Sequence, residues 1–434
     1  MIFYIMSMEP LAALCLRFYH RCFVHYFVIT TNKGIMEDFE MADNSKEALQ
    51  KHKEWKGKLD IELKAPIETD EDLAIAYTPG VAAPCLEIQK DEDLAYDYTG
   101  KGNLVAVITD GTAVLGLGDI GPSAAMPVME GKCALFKRFG GVNAIPLCVD
   151  TKDTDEIVET IYRISKSFGG INLEDIGAPR CFEIEQKLIE KCDIPIFHDD
   201  QHGTAIITCA AILNALKVVN KERGKLKIVV NGAGAAGIAI TKLILDMNLG
   251  TVILCDSKGI VTEGNPRNNA VKEEIAKLTN PIHQTGTLKD AIHNADVFVG
   301  VSQANMVTPE MVQSMDRDPI IFAMANPVPE IMPDVAKEAG AVVVGTGRSD
   351  FPNQVNNVLV FPGFFKGLLS VGATKVTQQM KIKAAEALAA VITDDELNAD
   401  YVLPGAFDER VADAIAKAVA DEAVASGLCR PMHR

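Results

Sequence analysis

From residue 104 onward, apolar positions alternate between short unbroken runs and longer stretches in which they recur every three or four residues. Unbroken runs suit strands covered on both faces, and the spaced stretches suit helices with one buried side. LVAVITDG (from 104), VNAIPLCVD (142–150) and CDIPIF (192–197) therefore predict strands, and DEIVETIYRISKSF (155–168) predicts a helix. An apolar helix, TAIITCAAILNALKVV (204–219), comes after the third strand and a short loop. The second half repeats the alternation, with KLKIVVNG a strand, IAITKLILDMNL a helix and TVILCD (251–256) a strand. Runs at 297–302, 320–327 and 341–347 add further parallel strands, and two helical stretches between 379 and 426 close the chain. Upstream of 104, residues 45–60 are polar and helix-prone, and Pro66, Pro79 and Pro84 break up the segment between them and the first strand. The alternation predicts an α/β protein with parallel sheets.

A length of 434 residues allows two or three domains. The net charge of -17 removes nucleic acid from the candidate partners, because phosphate neutralisation needs clustered Lys and Arg. A small anionic substrate stays compatible, provided a metal ion or placed donors meet it. Ten cysteines are scattered without a CxxC pair, which suits thiols in a reducing, cytoplasmic setting. Residues 1–40 stand apart: they are rich in aromatics and hold no acid between Glu9 and Glu37. Arg17, His20, Arg21 and His25 interrupt their apolar run, which argues against a membrane span. An organelle presequence, a membrane-surface segment and upstream sequence read from a wrong start are the alternatives. The last is favoured, because Met36 or Met41 opens an ordinary soluble sequence.

Gly232-Ala233-Gly234-Ala-Ala-Gly237 follows a strand and opens a helix, and Asp256 ends the next strand. That is the context of a dinucleotide-binding turn. Gly232 makes the tight turn, Gly234 lets the backbone approach a pyrophosphate, and Gly237 lets the helix pack closely on the strand. Free N–H groups at the helix start then meet the phosphate charge. A second match, Gly116-Leu-Gly118-Asp-Ile-Gly121, lacks a strand-ending acid downstream, and Pro122 and Pro127 spoil a clean helix start. Its backbone N–H groups are instead candidates to cradle a carboxylate or to lie near a nicotinamide. Asp256 favours NAD, since a carboxylate accepts from ribose hydroxyls and repels a 2′-phosphate. Ser257 and Lys258 follow at once and can bind that phosphate, so these residues leave NAD and NADP both open.

Two acidic clusters, Glu174-Asp175 and His198-Asp199-Asp200-Gln-His202, fall on loops of the first half and can meet at one hard cation. Oxygen ligands select Mg²⁺ or Mn²⁺ over zinc. His198 and His202 have the spacing of zinc-binding helical histidines, but the preceding strand puts His198 in a loop and no cysteine is near. Taken alone, an acid pair is more often a solvated face or a helix cap. Lys132 falls among Met129, Cys133 and Leu135. Near a metal, desolvation and like charge would lower its pKa and make it a base; a snorkelling surface lysine is the plainer reading. Tyr77 precedes the rigid turn Thr78-Pro79-Gly80; its phenol can donate a proton, although packing is the commoner use.

Taken in order, Tyr77-Thr-Pro-Gly-Val, DGTAVLGLGDIG, MEGKCALFK, NLEDI, FHDDQHGTA, VVNGAGAAG, FAMANPVPE and NQVNNVLVFPG make the chain resemble the malic enzymes, in particular their shorter, bacterial-type branch. The resemblance runs from about residue 45 to 426. It implies an N-terminal α/β substrate and metal domain, then a Rossmann-like doubly wound NAD(P)-binding domain, then C-terminal helices. The boundaries expected from it are 41–203, 204–378 and 379–434. It further implies that Glu174, Asp175 and Asp200 hold Mg²⁺ or Mn²⁺, with Tyr77 the general acid, Lys132 the general base and Asp199 supporting the lysine. Asn326 and Asn357 would contact L-malate and the nicotinamide side of the pocket. Short members look like homodimers or higher homo-oligomers in which partner chains help build each site.

The implied activity is oxidative decarboxylation of L-malate to pyruvate and CO₂ with NAD(P)⁺, and DSKG resembles members that use NADP. One departure stands out. Longer members carry an arginine that grips a malate carboxylate where this chain has Ala113, and the Gly116, Gly118 and Gly121 loop is expected to take over through backbone N–H groups. The rival readings are a malolactic enzyme forming lactate with a retained NAD, another decarboxylating 2-hydroxy-acid dehydrogenase, and a catalytically silent subunit of the same fold.

Overall fold

The computed structural model describes residues 44–431 apart from Leu115, so the expectations for residues 1–40 lie outside the described residues. The chain divides into a unit ending at Asp60 and a larger unit from Ile61 to Arg434. In the first, the helix Asn44–Trp55 is polar along most of its length.

In the larger unit, β1 (Leu104–Thr109), β2 (Asn143–Cys148), β3 (Gly170–Leu173) and β4 (Ile196–His198) form a parallel sheet in the order β2-β1-β3-β4. A second sheet contains β5 (Leu226–Asn231), β6 (Gly250–Asp256), β7 (Gly259–Ile260), β8 (Val297–Gly300), β9 (Ile320–Ala323) and β10 (Val343–Thr346). Its order is β10-β9-β8-β5-β6-β7, and only the short β7, which the apolar pattern did not predict, runs antiparallel. The chain order reverses at β5, which has β6 on one side and β8 on the other. A crevice opens beyond the carboxyl ends of the strands at such a point.

Strand β1 illustrates why the apolar runs are unbroken. Val105 and Val107 enter one core, and Ala106 and Ile108 enter another. The helix Asp199–Val218 buries 14 of its 20 residues, which makes it a core helix and not an amphipathic one. It belongs to a core that also takes in β5, β8 and the helices Phe361–Ser370, Gln378–Ala389 and Arg410–Ala425.

Two expectations about helix starts are corrected. The helix placed at 204 begins at Asp199, directly off β4, so Asp199, Asp200 and His202 are helical and not in a loop. Acids suit the positive end of a helix, but a polar first turn leaves no apolar periodicity to read. Likewise, Pro122 does not spoil a helix but opens one, Pro122–Gly140, with Pro127 inside it. At the first helical position a proline gives up no needed N–H and its φ is already helical. The helix Phe361–Ser370 was also not predicted; its Phe361 packs on Phe136 at 4.6 Å and its Phe364 on Phe197 at 4.8 Å. Among the described residues, eight cysteines are free and no helix is long and apolar enough to cross a membrane.

Asn214, in the middle of the core helix, donates to the carbonyls of Ala389 (2.9 Å) and Val402 (3.0 Å), tying the C-terminal helices to it. Asn214→Leu orphans both carbonyls, and denaturant unfolding should show a loss of roughly 1–3 kcal/mol for each.

Candidate active site

Neighbouring parallel strands end at the same level, so residues just past their ends converge. Glu174 and Asp175 follow β3, and Asp199 and Asp200 follow β4, its hydrogen-bonded neighbour. The helix Pro122–Gly140 brings Lys132 to the same point, where it is buried. Lys132 Nζ lies 2.6 Å from Asp199 Oδ2, 3.0 Å from Glu174 Oε1 and 4.3 Å over the Phe361 ring.

The acids are held from behind. Asn172 Nδ2 donates to Glu174 Oε2 at 2.8 Å, and the Asp175 N–H donates to Asp200 Oδ2 at 2.7 Å. Asp175 sits at φ 53°, in the left-handed region, with its carbonyl accepting from the Ala113 N–H. A buried non-glycine residue held there is strained, and such strain clusters at functional sites. One carboxylate oxygen from each of Glu174, Asp175 and Asp200 lies within 4.8 Å of the others. Asp175 Oδ2 and Asp199 Oδ1 are buried without a hydrogen-bond partner. An all-oxygen, anionic set with orphaned oxygens fits a hard divalent cation.

The electrostatics agree. Burial pushes Glu174, Asp175, Asp199 and Asp200 above the usual carboxylate range, and repulsion among them adds to it, while Lys132 pulls back only in part. Asp199 is pushed up to about 7. The expectation that Lys132 is lowered is corrected. Burial does push it down, but Asp199, Glu174 and Asp200 outweigh burial and hold it above the usual lysine range. The histidine pair does not converge either. His198 is buried at the end of β4, and His202 turns its Nε2 to Glu185 Oε1 at 2.6 Å.

At the second sheet, Gly232 (φ 124°) makes the turn after β5, and a Cβ on Gly237 would collide with the Gly232 carbonyl. A Cβ on Gly234 would meet nothing within 4 Å, so the middle glycine faces open space, as a backbone approached by a pyrophosphate requires. Ala233 packs against the core. Asp256 ends β6, its Oδ1 accepting from the Lys258 N–H and its Oδ2 paired with Lys272 at 2.8 Å. Burial raises the Asp256 pKa, but the Lys272 ammonium, the Lys258 N–H and Arg267 together outweigh it and leave the carboxyl below its usual range. Ser257 and Lys258 are exposed in the β6–β7 turn.

Other expected residues divide. Asn357 lies beside Asp199: a Cβ at Gly203 would meet both, that of Asn357 at 3.2 Å. The exposed Asn326 follows β9, and Gly116 faces the Asn326–Pro327 segment. The carboxylate cradle expected of the 116–121 loop is largely spent. The N–H of Gly118 donates to Val114 and that of Gly121 to Gly111, because the tight turns satisfy their own amides. Tyr77 caps the helix Asp70–Ala76, is 66% exposed, and its side chain makes no hydrogen bond among the described residues. Two residues were missed. Lys272 lies in the helix Ala270–Ala276, too far along the chain from Asp256 for spacing to connect them. Glu330, fully buried, accepts from the N–H groups of Ser302 and Ala325 and braces the ends of β8 and β9; its place in FAMANPVPE was the available signal.

A glycine-turn nucleotide fold beside a pocket of acids and one lysine defines an NAD(P)-binding oxidoreductase. Two family descriptions match in succession: "Malic enzyme, N-terminal domain" over residues 56–189 and "Malic enzyme, NAD binding domain" over residues 201–424. The bifunctional malic/malolactic enzyme of Bacillus subtilis is 59% identical over 88% of this chain and 94% of its own. The NADP-dependent malic enzyme of Halomonas elongata is 48% identical over 87% of this chain and 93% of its own. The crystal structure of the NAD-dependent malic enzyme of Thermotoga maritima superposes with a TM-score of 0.83 at 47% identity, covering 86% of this chain and 98% of that one. The chain belongs to the malic enzyme family.

Gly234→Ala should leave the thermal midpoint nearly unchanged and weaken dinucleotide binding about tenfold, because its Cβ intrudes only on the ligand. Gly237→Ala should lower both, because its Cβ strikes the Gly232 carbonyl. Calorimetry and a dinucleotide titration on the two variants check the contrast.

Proposed function

We propose that this protein oxidatively decarboxylates L-malate to pyruvate and CO₂, reducing NADP⁺ and requiring Mg²⁺ or Mn²⁺. The observation that carries the proposal is the convergence of Lys132 with Glu174, Asp175, Asp199 and Asp200. Glu174, Asp175 and Asp200 would hold the ion. When bound, it polarises the C2 hydroxyl and the oxygen that becomes enolate, and it offsets the carboxylate charge that holds the Lys132 proton. Lys132 Nζ takes the C2 hydroxyl proton, and Asp199 keeps the ammonium in place. A bound nicotinamide would supply the acceptor for the C2 hydride, and CO₂ would then leave from the keto acid. Tyr77 returns a proton to C3, so no net proton is consumed. Asn357, beside Asp199, and Asn326, at the end of β9, would contact malate and the nicotinamide side.

Two finer points rest on specific residues. The helices Asp70–Ala76 and Ala82–Lys90 contain no buried residue, and Ile61, Leu63, Leu73, Ile75 and Leu86 are exposed in the same stretch of chain as Tyr77. That surface supports a homodimer in which Tyr77 serves the site of the second copy. For the coenzyme, Lys272 offsets the Asp256 charge that would repel a 2′-phosphate, and the adjacent Ser257 and Lys258 offer a hydroxyl and a positive charge to bind it. The carboxylate grip that Ala113 cannot provide would fall to Gly116 and to the ion, since Gly118 and Gly121 have spent their amides.

Purified protein with L-malate and Mn²⁺ should reduce NADP⁺ faster than NAD⁺ and release pyruvate. Lys132→Ala should lower kcat by at least about 100-fold with the NADP⁺ affinity retained. Lactate as the main product would transfer the protein to the malolactic reading. The pH dependence has a definite sign. The acids are held above their usual range, so the ion must displace protons near neutrality, and Mn²⁺ affinity should fall about tenfold for each proton displaced as pH drops from roughly 8 to 6. An affinity flat across that range contradicts the ligand set.

A further inference from the structure

The helix that carries Asp199 and Asp200 starts directly from β4, and His198 at its N-cap gives no side-chain capping bond. Its first turn holds two acids against two others; Lys132 bonds Asp199 and the Asp175 N–H bonds Asp200 at their carboxylates, and a second set of bonds holds the turn from behind. Glu185, on the helix Arg180–Lys191, accepts from His202 on Oε1 at 2.6 Å and from Gln201 Nε2 on Oε2 at 3.2 Å. Both partners follow Asp200 in the same turn. Lys381 of the helix Gln378–Ala389 sets its Nζ against the same imidazole, 3.1 Å from Nδ1 and 3.2 Å from Nε2.

The three side chains meet at the ring: the carboxylate of one helix bonds the imidazole of a second, and the ammonium of a third lies against both ring nitrogens. With Nε2–H donated to Glu185, Nδ1 is left as the acceptor for Lys381, so the two partners together select one tautomer. Lys381 makes no ion pair among the described residues, and it lines a 490 Å³ cavity with Glu185, Gln201, His202 and Lys242. Burial pushes Glu185 up, but His202 and Lys381 outweigh it and hold the carboxyl down at about 2, so it is a fixed anion. Lys132 pairs with Asp199 and Glu174, and none of the three clamp residues shares a hydrogen bond or ion pair with that group.

We propose that Glu185, His202 and Lys381 are positioning residues that clamp the first turn of the Asp199–Val218 helix, so that Asp200 stays in place to bind the divalent ion with Glu174 and Asp175. The proposal rests on the metal reading above and adds a dependence of metal affinity on a side-chain group that never meets the metal. Packing alone would make the group matter to stability only. A clamp makes it matter to Mn²⁺ binding, according to hydrogen-bonding pattern and not according to size.

The test measures Mn²⁺ binding from the electron paramagnetic resonance signal of free Mn²⁺, with the thermal midpoint and NADP⁺ affinity of each protein alongside. Lys381→Met and His202→Leu should each weaken Mn²⁺ binding about tenfold or more, with NADP⁺ affinity unchanged. His202→Gln should recover most of the affinity, because its amide accepts from Lys381 and donates to Glu185 as the imidazole does. Variants that bind Mn²⁺ like the parent, whatever their thermal midpoint, would overturn the clamp, and so would a glutamine variant as weak as the leucine one. If His202→Leu does not fold, Lys381→Met against His202→Gln makes the same comparison. A parent protein that binds no Mn²⁺ would instead remove the metal reading, and the clamp with it.

Discussion

Four carboxylates and one ammonium share a largely buried pocket, and that imbalance of charge is the constraint on which the rest of the structure depends. Lys132 pairs with Asp199 and Glu174 but neutralises only part of the charge; Asp175 and Asp200 are held beside them with raised pKa values. Burying like charges costs far more than hydrogen bonds among them return, unless a counter-charge arrives. The site is therefore built to be incomplete. On the proposed function, a divalent ion would supply what is missing and at the same time loosen the proton on Lys132, the proposed base.

The architecture keeps that unfavourable cluster in place. Parallel strands β3 and β4 deliver two acids each at their carboxyl ends. The Asp199–Val218 helix continues from β4 through the shared core, so the acids at its start are anchored by apolar burial along its length. The phenylalanine layer of Phe136, Phe197, Phe361, Phe364 and Phe365 supports the pocket, and Lys132 rests on its edge. The order reversal at β5 then opens the nucleotide crevice in the second sheet, served by the same core. Hydride transfer needs both sites at once, and one helix with one core is how they are joined.

Much of this was legible in the sequence, for identifiable reasons. Strands buried on both faces leave unbroken apolar runs, so eight of the ten strands were read; β3 is the short GINL, interrupted by Asn172, and β7 spans two residues, too few to carry a pattern. The glycine turn was readable because each glycine has its own steric reason, and Gly232, Gly234 and Gly237 behave accordingly. What escaped depends on contacts distant in sequence. The first turn at Asp199 is polar, so periodicity could not find it. Lys272 meets Asp256 only through the fold. The pKa of Lys132 was read with the wrong sign because its acid neighbours, from two different strands, could not be weighed against burial. Tyr77 is a residue whose place within one chain, exposed at a helix end, does not display the role that the family resemblance implies.

The most direct measurement is an anomalous-scattering map from crystals of the protein grown with Mn²⁺. The account predicts one strong peak bonded to carboxylate oxygens of Glu174, Asp175 and Asp200, with Lys132 beside it and not coordinated. A peak elsewhere, or none at saturating Mn²⁺, would contradict the claim that this unbalanced pocket is the metal and malate site.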